Sequence, residues 1–483
     1  MSKVGTCWRI CEECRGRGKG IQKIGKQARI RYQAALDHFE KMKREGKEAL
    51  RPKRNLFTCP NCHGSGLLPA ISHPIPDREH YPHVAIVGGG IGGVAMAVAC
   101  LHRGIPFSLY ERDKSFDARS QGYGLTLQQA SKAIEGLGIF SLKEGVVSTR
   151  HLAHNPDGKV IGEWGMRKWL RSPEKKPAKR TNVHIPRQAL RLALLEQLGG
   201  SEVVNWGHRL IKYAECEGQA VELSFEVDGE IESAKADLVV GADGIRSTVR
   251  ELLIGDDVSP LRYLGCMVIL GICSFADLEG LDSSLLDSAT VFQTANGHER
   301  IYMMPFSTES VMWQLSFPID EEKAKLLSSQ GPKALKEEAC RRTPWHDPIP
   351  QIMNGTKEAL ISGYPVYDRD LLTAELVGKS SKVTLIGDAA HPMSPFKGQG
   401  ANQALLDAIA LARGITQGCR PLSQWKDGGI RASVLTEFEA EMLERTAPKV
   451  RDSAEASRIL HSEIALLEGD RPRSRHLKND YKS

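Results

Sequence analysis

Apolar and polar residues follow two different periods along this chain. Val84 to Val87 is an unbroken apolar run, short enough for a strand buried on both faces, and Val94 to His102 continues in small residues as a helix. Phe107 to Tyr110 is a second such strand, so the order strand, turn, helix, strand predicts an α/β domain of Rossmann-like form. Residues 299–306 (ERIYMMPF) and 311–319 (VMWQLSFPI) instead alternate, as strands with two unlike faces do. Residues 27–50 predict a charged helix, broken near Gly46, with a thin apolar stripe at Ile30, Ala34, Ala35, Phe39 and Met42. Residues 425–467 are helical in period and charged on one face, with breaks predicted at Gly428, Gly429 and Pro448.

Glycines sharpen the picture between the first strand and its helix. Gly88, Gly90 and Gly93 fill the spacing GxGxxG, which permits a tight turn, close approach of backbone to a pyrophosphate, and close packing of helix on strand. The helix N-terminus then offers free N–H groups and a positive dipole to phosphate. Glu111 ends the second strand 21 residues beyond Gly90, where a carboxylate accepts hydrogen bonds from an adenosine ribose. A glycine-rich turn that serves packing alone is the other reading. Residues 84–101 carry no charge, but their glycines and the strand that follows argue against a membrane span.

Length and composition add little beyond class. With 483 residues, 41% hydrophobic and 26% charged, the chain suits a multidomain globular protein of two or three folding units. The N-terminus has no apolar signal region, so a cytoplasmic location and reduced thiols are expected for the 11 cysteines. Four of these form two copies of CxxCxGxG: Cys11 and Cys14, then Cys59 and Cys62. Each pair makes a knuckle whose glycines turn backbone amides toward sulfur, and the two together supply a tetrahedral sulfur set suited to zinc. Free or redox-active thiols are the alternative, and Cys7 and His63 are nearby spare ligands. Residues 1–83 hold 17 Lys and Arg against 8 Asp and Glu, a net +9 beside +6 for the whole chain. That appendage reads either as a contact for RNA, or an acidic protein or carrier, or as a solvated helix face on a zinc-stapled clamp.

The zinc-like repeat resembles that of DnaJ-type cochaperones. From residue 81 to 469 the chain resembles class A flavoprotein monooxygenases, the para-hydroxybenzoate hydroxylase-like family. Within it, YERD (110–113), DARSQGYGLTL (117–127) and IGDAAHPMSPFKGQGAN (386–402) most resemble the tetracycline-inactivating flavin monooxygenases. The resemblance implies an FAD-binding domain at 83–255 and 360–420, interleaved with a mixed-sheet substrate domain at 256–359. To these it adds a C-terminal bridging helix at 421–469. They would follow a zinc-ribbon-like basic module at 1–71 and a linker at 72–82, and precede a disordered tail at 470–483.

It also implies site residues. Besides Gly88, Gly90, Gly93 and Glu111, the cofactor set comprises Arg112, Arg119, Arg187, Asp243, Asp388, Pro395, Gly398, Gly400, Ala401 and Asn402. Asp388 would meet ribitol hydroxyls, and the loop 392–402 would lie under the flavin ring. Asp243 and Gly244 match a DG motif tied to the phosphate region and to nicotinamide use. Tyr302, Met304, Gln314 and Phe396 are the candidates to line the substrate pocket, with Pro395 beside them; His391 would move a proton or serve structure. Residues 363–370 resemble the turn before the last flavin-side strand. With a single GxGxxG, NAD(P)H would visit transiently to reduce FAD. O2 would then add at flavin C4a, and the hydroperoxide would give one oxygen to an aromatic, phenolic or enol-bearing molecule. The alternatives are a zinc-tethered flavoprotein modifier or sensor bound to RNA or protein, and an FAD oxidase without oxygen insertion.

Overall fold

The computed structural model describes residues 7–21, 25–41, 56–119, 123–128, 130, 133–170, 182–215, 220–278, 280–419 and 425–473. It divides into two compact units, Met1–Ile75 and Pro76–Ser483. In the first, the strand Cys7–Ile10 pairs antiparallel with Leu67–Ala70, and Lys19–Ile21 with Leu56–Thr58. The two cysteine turns face each other. A Cβ on Gly18 would lie 2.1 Å from Gly64 O, and one on Gly66 2.4 Å from Gly16 O, so the repeated glycines are what lets the knuckles touch. The charged helix spans Lys26–Lys41, and the rest of its predicted span lies outside the described residues. The described part of its stripe, Ile30, Ala34, Ala35 and Phe39, is not buried, Ile30 being 58% exposed.

The second unit is built on a five-stranded, wholly parallel sheet. Its order is Val204–Trp206, Phe107–Glu111, Val84–Val87, Leu238–Gly241, Val383–Leu385. The predicted strand Val84–Val87 is buried at every position, as a strand covered on both faces must be. Helix Ile91–Leu101 packs on it through glycine and alanine, and helix Gly400–Cys419 packs on that helix. Residues 77–82, read as linker, are held on this unit: Asp77 N–H donates to Gly104 O, and Tyr81 is buried.

Beside it stands a seven-stranded mixed sheet. Its order is Val160–Trp164, Arg150–His154, Thr290–Ala295, Arg300–Ser307, Ser310–Pro318, Leu261–Ser274, Ile361–Arg369. The alternating segments predicted in the middle of the chain are its central hairpin. Helices Glu321–Ser329, Pro332–Arg342 and Ile349–Gly355 cover one face, over Ile301, Met303, Trp313 and Leu315. Three assignments to the flavin side are corrected. Arg150–His154, Val160–Trp164 and Ile361–Arg369 all join this sheet, and residues 363–369 are strand where a turn was expected. Arg150–His154 runs parallel beside Thr290–Ala295, a pairing across 140 residues that local sequence does not encode.

The C-terminal segment runs as Trp425–Gly428, a π-helical turn Arg431–Leu435, and one long helix Thr436–Leu460. Gly428 and Gly429 mark a break as predicted, but Pro448 lies inside the long helix. A proline forfeits one backbone bond there, and packing on both sheets outweighs that loss. Arg445 donates to Gln403 and Asp407 on the parallel-sheet side, and Ser457 Oγ lies 3.2 Å from Cys266 Sγ of the seven-stranded sheet. The expected disordered tail starts too early at 470. Asp470 accepts from Glu163 N–H, and buried Arg473 donates to Ile161 O. No helix among the described residues is long and apolar enough to cross a membrane.

Candidate functional site

Between the two sheets lies one cavity of about 1760 Å3, lined from Gly90 at one end to Gln293, Arg300 and Gln314 at the other. That exceeds the roughly 300–1,000 Å3 of a pocket for one small ligand.

At the first end the turn after Val87 is dictated by glycine. Gly88 has φ +109°, and a Cβ on Gly93 would lie 1.8 Å from Gly88 O, so neither position admits a side chain. Gly90 differs. A Cβ there meets no atom within 4 Å and would project toward the cavity it lines, directly before the N-terminus of helix Ile91–Leu101. Glu111 is buried just below, one carboxylate oxygen accepting from Gly89 N–H at 2.6 Å and the other from Asp113 N–H at 3.0 Å. Gly88, Gly93 and Glu111 thus shape the turn while Gly90 faces the opening. Arg112 is exposed, and the side chain of Arg119 lies outside the described residues.

Sequence reading missed Arg191. Its guanidinium lies between the rings of Phe116 and Trp206 and donates to Gly89 O at 2.7 Å, fixing the glycine turn from behind. It stands one helical turn after Arg187 in helix Arg187–Gln197, and that spacing was the available signal. Arg187 itself lines the cavity, 5.8 Å over the Tyr123 ring. Asp243 is turned the other way: it accepts from Ser247 Oγ and from Val249 N–H, holding helix Thr248–Ile254. Burial pushes its carboxyl upward, and those donors oppose the shift. Its neighbours Gly244 and Arg246 do line the cavity.

The other wall near this end is the segment from Asp388 to Asn402. The Asp388 carboxyl opens into the cavity; enclosure by the walls pushes its pKa upward, and the charges of His391 and Arg187 oppose this. Buried Arg250, also missed, donates to Ala389 O and Ala390 O and so fixes the chain after Asp388. Desolvation, reinforced by Arg369, lowers that arginine to about 10. Pro395, Phe396, Gly398, Gly400 and Ala401 line the cavity, and Gly398 has φ +57°. Helix Gly400–Cys419 makes its first backbone bond from Gln403 N–H to Gln399 O, so its N-terminal amides face this space. Asn402 saturates its side chain on protein: Oδ1 accepts from Gln128 and Ala130 N–H, and Nδ2 donates to Thr126 O and Gly398 O. Its side chain therefore stitches the cavity wall together.

His391 is buried away from the cavity, its Nε2 2.7 Å from Asp407 Oδ2. Asp407 also accepts from Gly387 N–H and from Arg445. Burial works against its charge, yet His391, Arg445 and that amide hold it below the usual carboxylate range. This is a structural network beneath the loop.

At the far end, strand alternation decides which side chains see the cavity. Arg300, Tyr302 and Met304 line it from one strand, Met312 and Gln314 from the next, and Tyr302 lies directly opposite Gln314. The expected Tyr302, Met304, Gln314 and Phe396 are thus all brought to one space. Gly124 fits because Met304 and Met312 fill the room a Cβ would need, the nearer atom at 2.3 Å. Arg300 and Gln293 were missed, although Arg300 has the same period-two phase as Tyr302 and Met304.

In the first unit, the Sγ atoms of Cys11, Cys14, Cys59 and Cys62 all lie within 4.8 Å of one another, with 3.9 Å between Cys11 and Cys59 and 3.6 Å between Cys14 and Cys62. A tetrahedron with zinc–sulfur bonds of about 2.3 Å has edges of about 3.8 Å, so the spacing fits. Gly18 and Gly66 N–H each donate to a sulfur at 3.2 Å. Among the described residues the cluster consists of these four, without Cys7 or His63.

Known proteins resemble the second unit. A family model described as an FAD binding domain matches residues 81–420. Aurachin C monooxygenase/isomerase of Stigmatella aurantiaca is 30% identical over 334 residues, 68% of this chain and 79% of that protein. A 3-amino-4-hydroxybenzoate 2-monooxygenase of Streptomyces platensis is 28% identical, covering 69% of this chain and 79% of its own length. Among solved structures, Klebsiella pneumoniae HpxO with FAD and uric acid superposes with a TM-score of 0.64 at 21% identity, over 80% of this chain and 90% of that one.

Proposed function

The chain belongs to the FAD-binding-domain family and is an FAD-dependent monooxygenase, and from that premise we propose what its cavity holds and oxidises. The single observation that carries the reading is the continuous space from Gly90 to Gln314, large enough for a dinucleotide and a second molecule together. FAD held here and reduced by NAD(P)H would activate O2, one atom of which goes to the substrate while the other leaves as water.

The chain's own part is to bind, orient and keep water out. The amides of helix Ile91–Leu101 and the bare Gly90 receive the pyrophosphate. Arg191 and Glu111 brace that turn by its backbone, and Asp388 on the cavity wall would accept from the ribityl hydroxyls. The N-terminal amides of helix Gly400–Cys419 would hold the electron-accepting edge of the flavin, their dipole favouring negative charge there. Met304, Met312 and Phe396 supply an apolar wall near the substrate, which limits the water that would divert the oxygen. Residues 392–402 hold their shape through Asn402 and the Asp407–Arg445 network, so the target atom is positioned before reaction.

The substrate is an aromatic, phenolic or enol-bearing small molecule, in line with relatives named for hydroxybenzoate and aurachin chemistry. Tetracycline and related polyketides belong in the panel on the strength of the 117–127 and 386–402 motifs. The first unit binds one zinc through Cys11, Cys14, Cys59 and Cys62, and the fit of the sulfur spacing supports this. The test of function is NADPH and NADH oxidation by the purified holoprotein across phenols, polyketides and tetracyclines, followed by mass spectrometry under 18O2. A product carrying one 18O atom is expected. Peroxide as the sole product with every compound would overturn the reading in favour of an oxidase.

A further inference from the structure

The far end of the cavity contains a charge that the protein does not neutralise. Arg300 is 6% exposed, and among the described residues no carboxylate pairs with it. Its Nε donates to Gln293 Oε1 at 2.8 Å, and its guanidinium lies 4.9 Å over the Tyr302 ring. Both contacts orient the group without cancelling its charge, and both leave the two terminal nitrogens for something else. The neighbouring acid in sequence, Glu299, is engaged with Arg342 at 2.8 Å. Desolvation lowers the Arg300 pKa to about 10, so the side chain is still cationic at neutral pH.

A second donor points to the same ligand chemistry. Among the described residues the buried Gln314 Nε2 has no hydrogen-bond partner; Gln314 lies opposite Tyr302 on the strand next to that of Arg300 and lines the same cavity. A buried cation without a counter-charge and a buried amide N–H without an acceptor are each costly, and one ligand oxygen group that accepts from both removes the two penalties together.

Resting on the monooxygenase reading, we propose that Arg300 and Gln314 form an anion subsite, so that the substrate enters bearing an acidic oxygen, a carboxylate or an ionised enol or phenol. Gln293 is then a positioning residue that fixes the plane of the guanidinium. A neutral apolar substrate of matching size would leave the charge uncompensated and bind more weakly.

The test is isothermal titration of the FAD-loaded full chain with matched pairs, which needs no turnover. One arm compares 4-hydroxybenzoate with 4-hydroxybenzamide, the other 4-nitrophenolate with 4-nitroanisole, so a carboxylate and an ionised hydroxyl are told apart. The anionic member of at least one pair should bind about 10- to 100-fold more tightly, the scale of a charge-assisted hydrogen bond. Arg300→Gln should erase that preference while neutral binding changes little, and Arg300→Lys should keep part of it. If Arg300→Gln fails to retain FAD, the wild-type preference and Arg300→Lys decide. Equal binding within every pair, no binding of either anion, or equal losses for both members in the variants would overturn the subsite. Folded protein that takes up no FAD would instead sink the monooxygenase reading, so the two failures are distinguishable.

Discussion

Replacing Gly90 by alanine separates folding from cofactor binding more cleanly than any other single change. The added methyl meets nothing within 4 Å, and the backbone at φ −73°, ψ −176° suits alanine as well as glycine. Two small terms act on stability. Alanine reduces the entropy of the unfolded chain by about 0.4–1 kcal/mol, and it is a poorer residue than glycine before a helix by a few tenths to about 1 kcal/mol. The folded protein should therefore melt close to wild type. The same methyl occupies the approach of the pyrophosphate to the helix amides. Loss of one charge-assisted hydrogen bond, at about 1.5–3 kcal/mol, lowers FAD affinity roughly 10- to 200-fold. Quenching of FAD fluorescence on titration into the apoprotein measures that affinity, and a circular dichroism melt measures the fold. Wild-type FAD affinity in Gly90→Ala would refute the assignment of this turn to the pyrophosphate. Gly93→Ala is the contrasting control: its methyl strikes Gly88 O at 1.8 Å, so melting temperature and affinity should fall together.

Other consequences follow from the same structure. Asn402→Ala strips four backbone groups of their partners at a site 1% exposed, which should cost roughly 2–4 kcal/mol in denaturant unfolding; a loss below about 0.5 kcal/mol would contradict the stitching role. Asp407 has its pKa depressed in the fold, so its contribution is present above the unfolded carboxylate range and is lost as pH falls through the folded value. Asp407→Asn should therefore destabilise by about 3–5 kcal/mol at pH 7, and the gap to wild type should narrow below about pH 4, read from stability against pH. A chelator, or Cys14→Ser, should release one zinc per chain in a colorimetric assay and make residues 1–75 protease-sensitive, leaving the FAD absorbance unchanged; absence of bound zinc from protein grown with it would contradict the sulfur-site assignment.

Much of the parallel-sheet half was legible because its signals are local. Val84–Val87, the spacing of Gly88, Gly90 and Gly93, and Glu111 at the next strand end all act within one strand–helix–strand unit. The four cysteines were legible for the same reason. Sheet membership was not: Arg150–His154 and Ile361–Arg369 carry ordinary strand patterns, and only long-range pairing decides which sheet they join. The supporting residues were also hidden. Arg191, Arg250 and Arg445 act on backbone carbonyls or side chains distant in sequence, and apart from the spacing of Arg191 from Arg187 nothing in their neighbours distinguishes them from surface arginines. Pro448 shows the converse, a strong local breaker outweighed by packing on both sides of its helix. Asp243 and Asn402, which the motifs assigned to the cofactor, have side chains that hold protein to protein.

The claim on which the rest depends is that the space between the two sheets is a flavin site. Quantifying flavin released by heat from freshly purified, folded protein tests it directly. The account predicts FAD at one molecule per chain, or stoichiometric uptake when FAD is added to protein that has lost it. Well-folded protein that neither carries FAD nor binds it would contradict the account.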